Sequence, residues 1–473
     1  MELGVDGRRI ERLRAALAGE RWWTVTELVA ATATARRTVE AALRALPVER
    51  SGDRYRLPAG SAVPPPEFAD PVAGLLPDDG AVLAQLDELI AAAPAPRRAL
   101  DHVAATPETA LRRAAYLRAR FALDGATLLC VGDHDLTSLA ATLLCPGLSA
   151  VVVDVDDRLL EHVDLAATRL GLPVTCRWAD LRLGLPPDAR GDVAFTDPPY
   201  TPDGVTLFAG RAFEGLADHR TGRVLLAYGT GETQPALGWK VQAALSDLGA
   251  YVEAMLPDFN RYAGAEAIGS ASDLYVLRPT PRTYQVLDRR LAAVPDTLYT
   301  HGPQSAEASA PDLPGSTPLA GWLARPRSAP ELTVVATGPG SLLRLLLAGG
   351  AEHITAVVDN NSDDVRDEAG QRGLQDLVAG AYRLRYHRSR PDPRHATVEA
   401  TRVPDPGSLA RYLLDRAHGK VTNTLREGLI ATGRAATRNE ARALVSATVP
   451  DAYAGARLLD LPRHQLRQLL ADS

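Results

Sequence analysis

The sequence predicts an α/β fold in three segments, and three observations carry that reading. From Ala126 onward, short β-branched and apolar runs alternate with helical segments. These runs are apolar along their whole length, as parallel strands covered on both faces are. Two stretches rich in Pro, Ala, Ser and Gly, residues 59–71 and 301–318, set the middle segment off from its flanks. The expected domains are therefore 1–58, 72–290 and 320–473.

The N-terminal segment reads as a winged helix. Ile10, Leu13, Ala16 and Leu17 recur at helical spacing. Thr24-Val-Thr-Glu27 is a capping box that opens a second short helix, because Glu27 can reach back to the freed amide of Thr24. A third helix is expected to open at Thr34, and VERSGDRYRL forms a two-stranded wing with its turn at Ser51-Gly52-Asp53. In the middle segment a helix is expected around 78–92 and another at Thr106-Pro107-Glu108, with Thr as cap and Pro in the first turn. Seven strands follow: ATLLCV, SAVVVD, PVTC, DVAFTD, RVLLAY, YVEAML and DLYVLR. Helices at 156–170, 204–216 and 233–248 separate most of them, while the last two are joined without one. That order fits a Rossmann-like seven-stranded sheet of the methyltransferase type. The C-terminal segment, also α/β, restarts with LTVVATGPGSLLRLLLAGG, ITAVVDNN and YRLRYH, and turns mostly helical from about 408. It partly echoes the first sheet, which leaves open a degenerate Rossmann-like repeat or a packing partner. Gly338-Pro339-Gly340 and Asp359 suit a second nucleotide only weakly.

Composition narrows the function. Lys and Arg number 52 against 58 Asp and Glu, a net charge of −6, so the chain as a whole is no polycation for nucleic acid or anionic lipid. Only Lys240 and Lys420 are lysines, and this general preference for Arg discounts any single Arg cluster. Residues 1–60 hold 11 Arg against 8 acids, a weak excess for a phosphate-binding face. A structural role for the winged helix is therefore favoured over DNA binding through Arg36 and Arg37. No apolar run approaches the ~18 residues of a membrane span, and the opening MELGVDGRRIERLR lacks a secretory pattern. Cys130, Cys145 and Cys176 show no paired spacing. The expectation is a cytoplasmic protein with free thiols and no metal.

Candidate site residues come from the strand ends, since open parallel sheets bind ligands beyond the carboxyl ends where strand order reverses. Gly132-Asp133-His134-Asp135 follows the first strand. Asp154 ends the second, 22 positions after Gly132, close to the separation of about 20 between a nucleotide-binding glycine turn and its ribose-binding acid. Asp154 therefore suits two ribose hydroxyls; capping of the next helix is the other use of such acids and fits Asp157 better. Asp180, after the third strand, stands where adenine is contacted. The fourth strand ends in Thr196-Asp197-Pro198-Pro199-Tyr200. Its two prolines hold the chain extended and remove two amide donors, so carbonyls beside Asp197 can turn toward a ligand. A carboxylate with bare carbonyls accepts hydrogen bonds from an amine, and Tyr200 can flank that nitrogen by stacking or cation–π contact. Asp203 and Asp258 lie near the same rim and would hold distal ammonium groups. Such clustered carboxylates call for a cationic ligand.

At these residues the chain resembles the branched-chain polyamine synthase, or N(4)-bis(aminopropyl)spermidine synthase, family over roughly residues 6–285. The likeness rests on the winged-helix start, on Gly132-Asp133-His134-Asp135-Leu136-Thr137-Ser138 where the family has Gly-Asp-Asp-Asp, and on the Asp-Pro-Pro motif at Asp197. Asp258-Phe259-Asn260-Arg261-Tyr262 and Ser272-Asp273-Leu274-Tyr275 look like further family positions. The resemblance implies transfer of an aminopropyl group from decarboxylated S-adenosylmethionine to an amine nitrogen of a polyamine, with Asp135 nearest the reacting nitrogen and Asp133 lining the donor pocket. His134 departs from the family acid and puts an imidazole in the acceptor site. Asp135 is then expected to take or relay the proton while Asp197 holds the nitrogen. A homodimer without DNA or membrane partners is expected. Two other readings stand beside this one: an N-methyltransferase or aminocarboxypropyltransferase using intact S-adenosylmethionine, since DPPY also occurs in amino-methyltransferases, and a winged-helix DNA-binding regulator with a ligand-sensing Rossmann domain.

Overall fold

The structure is a computed structural model that describes residues 7–61, 63, 79–231, 234–295, 298 and 313–471. Most of the two expected linkers, at 62, 64–71 and 301–312, lies outside the described residues, as do residues 78 and 233 at the starts of two expected helices. The chain divides into two compact units. The first comprises residues 1–128, 133–148 and 192–293; the second comprises 129–132, 149–191 and 294–473.

The first unit begins with α1 (Gly7–Leu17), β1 (Trp23–Thr24), α2 (Val25–Thr32), α3 (Arg36–Ala45), β2 (Glu49–Ser51) and β3 (Arg54–Arg56). The capping box of α2 is formed: Thr24 N donates to Glu27 Oε2 at 2.7 Å while Glu27 N donates to Thr24 Oγ1 at 3.2 Å. The expected hairpin is β2–β3, turning at Gly52 with φ 63°. Two details differ from the sequence reading. A third strand, β1, pairs with the outer side of β3, because Trp23 and the cap residue Thr24 are extended. Helix α3 begins at Arg36 rather than Thr34, since the Thr34 hydroxyl donates to Thr32 O at 3.1 Å instead of capping. Leu13, Leu17, Leu28, Val29, Val39 and Leu43 form the core of this small subdomain. Arg36 is committed within the unit: its guanidinium bonds Glu40 Oε1 at 3.0 Å and also Glu266, which accepts the Thr26 hydroxyl at 2.7 Å.

Next come α4 (Gly80–Ala91) and α5 (Pro107–Arg120), the latter capped by Thr106 with Pro107 in its first turn. The main sheet uses β4 (Thr127–Val131), β5 (Ser149–Asp154), β6 (Val174–Trp178), β7 (Val193–Thr196), β8 (Arg223–Tyr228), β9 (Tyr251–Arg261) and β10 (Ala271–Arg278). Between them run α6 (Thr137–Leu144), α7 (Asp157–Leu170), α8 (Pro202–Glu214) and α9 (Pro235–Asp247), with α10 (Pro281–Ala292) after β10. The strand order is β6-β5-β4-β7-β8-β10-β9. Parallel pairing of β5 with β6 and of β7 with β8 gives way to antiparallel β10, which inserts between β8 and β9. The seven expected strands are thus one sheet, and a single turn of 3₁₀ helix, Glu266–Ile268, lies between β9 and β10. Strand β7 is buried throughout, as its unbroken apolar sequence requires.

The remaining elements belong to the second unit: α11 (Leu319–Ala324), β11 (Ala329–Val335), α12 (Ser341–Ala348), β12 (Ala351–Asp359), α13 (Glu368–Val378), β13 (Tyr382–His387), β14 (His395–Arg402), α14 (Leu409–Leu414), α15 (Val421–Ala431), α16 (Arg438–Thr448) and α17 (Arg463–Ala471). Here the echo of the first sheet stops early. β11, α12 and β12 make a parallel crossover, but β14 then pairs antiparallel with β12 and β13 with β14, in the order β11-β12-β14-β13. A repeat of the first sheet would have kept its strands parallel there. Leu343, Leu345, Ile354, Val358, Val398 and Leu413 are among the buried residues of its core.

The Gly338-Pro339-Gly340 turn is a packing device. A Cβ on Gly338 would fall 2.6 Å from Ser341 Oγ and 2.9 Å from Asp180 Oδ2, and one on Gly340 would fall 2.7 Å from Trp178 Nε1. Gly340 also has φ 69°, a conformation that costs other residues roughly 1–2 kcal/mol. Gly340→Ala is therefore expected to lower stability by at least about 1–2 kcal/mol, read from urea unfolding monitored by tryptophan fluorescence. An unchanged midpoint would contradict the close packing of this turn. All three cysteines are buried and none is in a disulfide. Among the described residues, no helix is long and apolar enough to cross a membrane.

Candidate active site

Strand order reverses between β4 and β7, where open α/β sheets form ligand sites. The two expected motifs follow these strands. After β4 the chain turns sharply: Leu136 N donates to Asp133 O at 3.0 Å, and Leu136 takes a left-handed φ of 55°. This turn starts α6 at Thr137 and gives the two aspartates different tasks. Asp133 accepts from Ser138 N at 3.2 Å and from Ser138 Oγ at 2.5 Å, so it serves the first turn of α6. Asp135 accepts the Ala105 amide on Oδ1 at 2.7 Å.

The group that organises the centre is Arg113 of α5, which is completely buried. Its Nη1 donates to Asp135 Oδ2 at 2.7 Å and to Thr137 Oγ1 at 3.2 Å. Its Nη2 donates to Asp197 Oδ2 at 2.8 Å and to the Tyr262 hydroxyl at 3.4 Å. Its Nε donates to Asn260 Oδ1 at 2.8 Å, and Phe195 lies beneath it with the guanidinium carbon 4.6 Å from the ring centroid. Asp197 also accepts from Tyr200 OH at 3.1 Å and from Tyr262 OH at 2.7 Å. Tyr262 OH lies 2.9 Å from Tyr200 OH and 2.7 Å from Ser272 Oγ. Asn260 Nδ2 donates to Ser272 Oγ at 3.0 Å, so strands β9 and β10 brace the arrangement.

These surroundings drive the two carboxyls apart. Burial alone would raise Asp135, but the charge and hydrogen bond of Arg113, with His134 and the Ala105 amide, outweigh it and hold Asp135 below its ordinary value. Burial prevails at Asp197, where Arg113 opposes it and the negative charge of Asp135 adds to it; its carboxyl is pushed up to about 7. Burial, with Asp197 alongside, also raises the phenols of Tyr200 and Tyr262 well above their usual range. Neighbouring carboxyls driven to opposite protonation preferences are the usual signature of acid–base work. The centre can accept hydrogen bonds from an amine and can exchange one proton near neutral pH.

Of the expected site residues, the structure brings together Asp135, Asp197 and Tyr200. Pro198 is buried beside Asp197. His134 is stacked on His102 with centroids 4.4 Å apart. Asp203 is exposed in the first turn of α8. Asp258 has φ 54°, and its amide donates to Asp273 Oδ1 at 2.9 Å. In the second unit, Gly132 has φ 71° and donates to Val153 O at 2.8 Å. Asp154 Oδ1 accepts the Asp156 amide at 2.8 Å, and Asp156 rather than Asp157 caps α7. Asp180 is gripped by Arg182, with Nε 2.9 Å from Oδ1 and Nη2 2.5 Å from Oδ2.

Sequence reasoning missed Arg113 altogether and marked Asn260, Tyr262 and Ser272 only as family positions, with no role in the centre. It set the clustered carboxylates against a cationic ligand, whereas Arg113 reaches two of them from outside any motif. A single signal was available. Arg113 falls three residues after Ala110 and four before Leu117, both fully buried, so a charge stands on the apolar stripe of α5.

Residues 81–290 match the family described as Branched-chain polyamine synthase A C-terminal domain, which bears out the resemblance over that span. An uncharacterized protein of Methanocaldococcus jannaschii is 38% identical over 176 residues, covering 37% of this chain and 44% of the relative. The N(4)-bis(aminopropyl)spermidine synthase of Thermococcus kodakarensis is 29% identical over 187 residues, 38% of this chain and 52% of the relative. The chain thus spans about half the length of the curated relatives it matches. Among solved structures, the branched-chain polyamine synthase from Thermus thermophilus in complex with N4-aminopropylspermidine and 5'-methylthioadenosine is 23% identical, with a TM-score of 0.44 over 57% of this chain and 87% of that one.

Proposed function

We propose that this chain transfers an aminopropyl group from decarboxylated S-adenosylmethionine to an amine nitrogen of a polyamine. The observation that carries the reading is the Asp135–Arg113–Asp197 centre with its tyrosine hydroxyls, which lies within the span similar to the polyamine synthase family. The donor would bring a sulfonium-activated carbon, and the protein's task is to hold a neutral nitrogen in line with it. Gly132, Asp154 and Asp180 are the residues proposed to hold its nucleoside. Asp133 is proposed to line the donor pocket as well.

The acceptor arrives protonated, since an alkyl amine has a pKa near ~10. Asp197 suits the role of base better than Asp135, the residue expected from the sequence to take or relay the proton. Proton transfer from such an amine is uphill by about 4 kcal/mol to a carboxylate at about 7, against about 8 kcal/mol to an ordinary one. Asp135, held below its ordinary value by Arg113, is the weaker proton acceptor of the two. Asp135 therefore acts by holding Arg113, and Tyr200 and Tyr262 orient Asp197. Asp203, Asp258 and His134 remain candidates for the distal end of the acceptor.

Incubation with decarboxylated or intact S-adenosylmethionine plus spermidine, followed by mass spectrometry, tests the reading. Gain of an aminopropyl unit with the decarboxylated donor is expected. Gain of a methyl or aminocarboxypropyl unit with the intact donor would replace this reading with the methyltransferase-like alternative. The N-terminal winged-helix reading carries a structural role, because Arg36 is tied to Glu40 and Glu266.

A further inference from the structure

We infer that Arg113 is a positioning residue for this centre: its guanidinium fork holds Asp135 and Asp197 in one frame, and its charge leaves the trio able to balance one ammonium group. The inference rests on the reading proposed above. A guanidinium has five N–H donors in a fixed plane, and here they serve three chain segments. Nε reaches Asn260, Nη1 reaches Asp135 and Thr137, and Nη2 reaches Asp197 and Tyr262. Phe195 fills one face. No ammonium could make these contacts, because a lysine is a point charge on a flexible stem.

Stability alone is a weak reason for the arrangement, since apolar residues of similar volume often replace buried ion pairs without loss. Charge offers a stronger reason. Two carboxylates this close would resist joint ionisation, and without a resident cation the site would attract ammonium groups indiscriminately. With Arg113 in place, a single negative charge remains for the nitrogen that is to react. The titratable groups around the fork are Asp135, Asp197 and Tyr262, with Tyr200 on Asp197 and His134 next to Asp135.

The test compares the native chain with Arg113→Lys and Arg113→Met. Infrared difference titration of the protonated carboxyl band needs no substrate and reports on the pair directly. Removing the cation must raise carboxyl titration, so in Arg113→Met the band should move to higher pH by about one to three pH units. Arg113→Lys should leave the band near its native position yet lower kcat by about tenfold or more, with a smaller change in the polyamine KM, because the fork is lost while the charge stays. A native band position in Arg113→Met overturns the inference. Should Arg113→Met fail to fold, a native kcat in Arg113→Lys overturns it equally. A shifted band in a protein that transfers no aminopropyl group would leave the clamp standing and remove the proposed reaction instead.

Discussion

Replacing Asp197 by asparagine is expected to lower kcat for aminopropyl transfer by about 10²–10⁴-fold, the usual contribution of a positioned base. Asparagine keeps the shape and can still accept hydrogen bonds from Tyr200 and Tyr262, but it takes no proton. The pH profile gives the sign. Asp197 must be ionised to accept a proton, so native kcat/KM should rise as pH climbs through about 7. That acid limb should vanish in Asp197→Asn, whose residual rate no longer depends on this group. Initial rates by mass spectrometry across neutral pH provide the check. A native rate in the variant would strip Asp197 of the role.

The second large effect concerns stability. Asp135→Ala removes one of the two carboxylates that compensate a fully buried guanidinium. Breaking a buried pair in this way is expected to cost about 3–5 kcal/mol, measured by urea unfolding. Asp135→Asn should cost less, because its amide oxygen can still accept from Arg113 or from the Ala105 amide. That milder variant separates folding from function: turnover should fall strongly while donor binding, followed by calorimetry, survives. Equal loss of turnover and donor binding would remove Asp135 from the acceptor side of the centre.

Much of this molecule is legible along the chain because it depends on local rules. Thr24 and Glu27 are three residues apart, so their capping box follows from backbone geometry alone. The apolar runs become strands because a parallel strand must be covered on both faces. Asp135 and Asp197 are identifiable because motif residues after the first and fourth strands meet where strand order reverses. The C-terminal region is less legible. Its Gly-Pro-Gly turn resembles a nucleotide loop in sequence, yet its glycines are there for close contact with Trp178 and Asp180.

Short-range chemistry accounts for the elements, the seven strands of the middle sheet and the two acidic turns, since periodicity, caps and proline act over a few residues. The behaviour of those acids has a different origin. Arg113 stands 22 residues from Asp135 and 84 from Asp197, and no local pattern joins them. Only folding brings the three together, and there the charge of Arg113 keeps Asp135 ionised while burial raises Asp197.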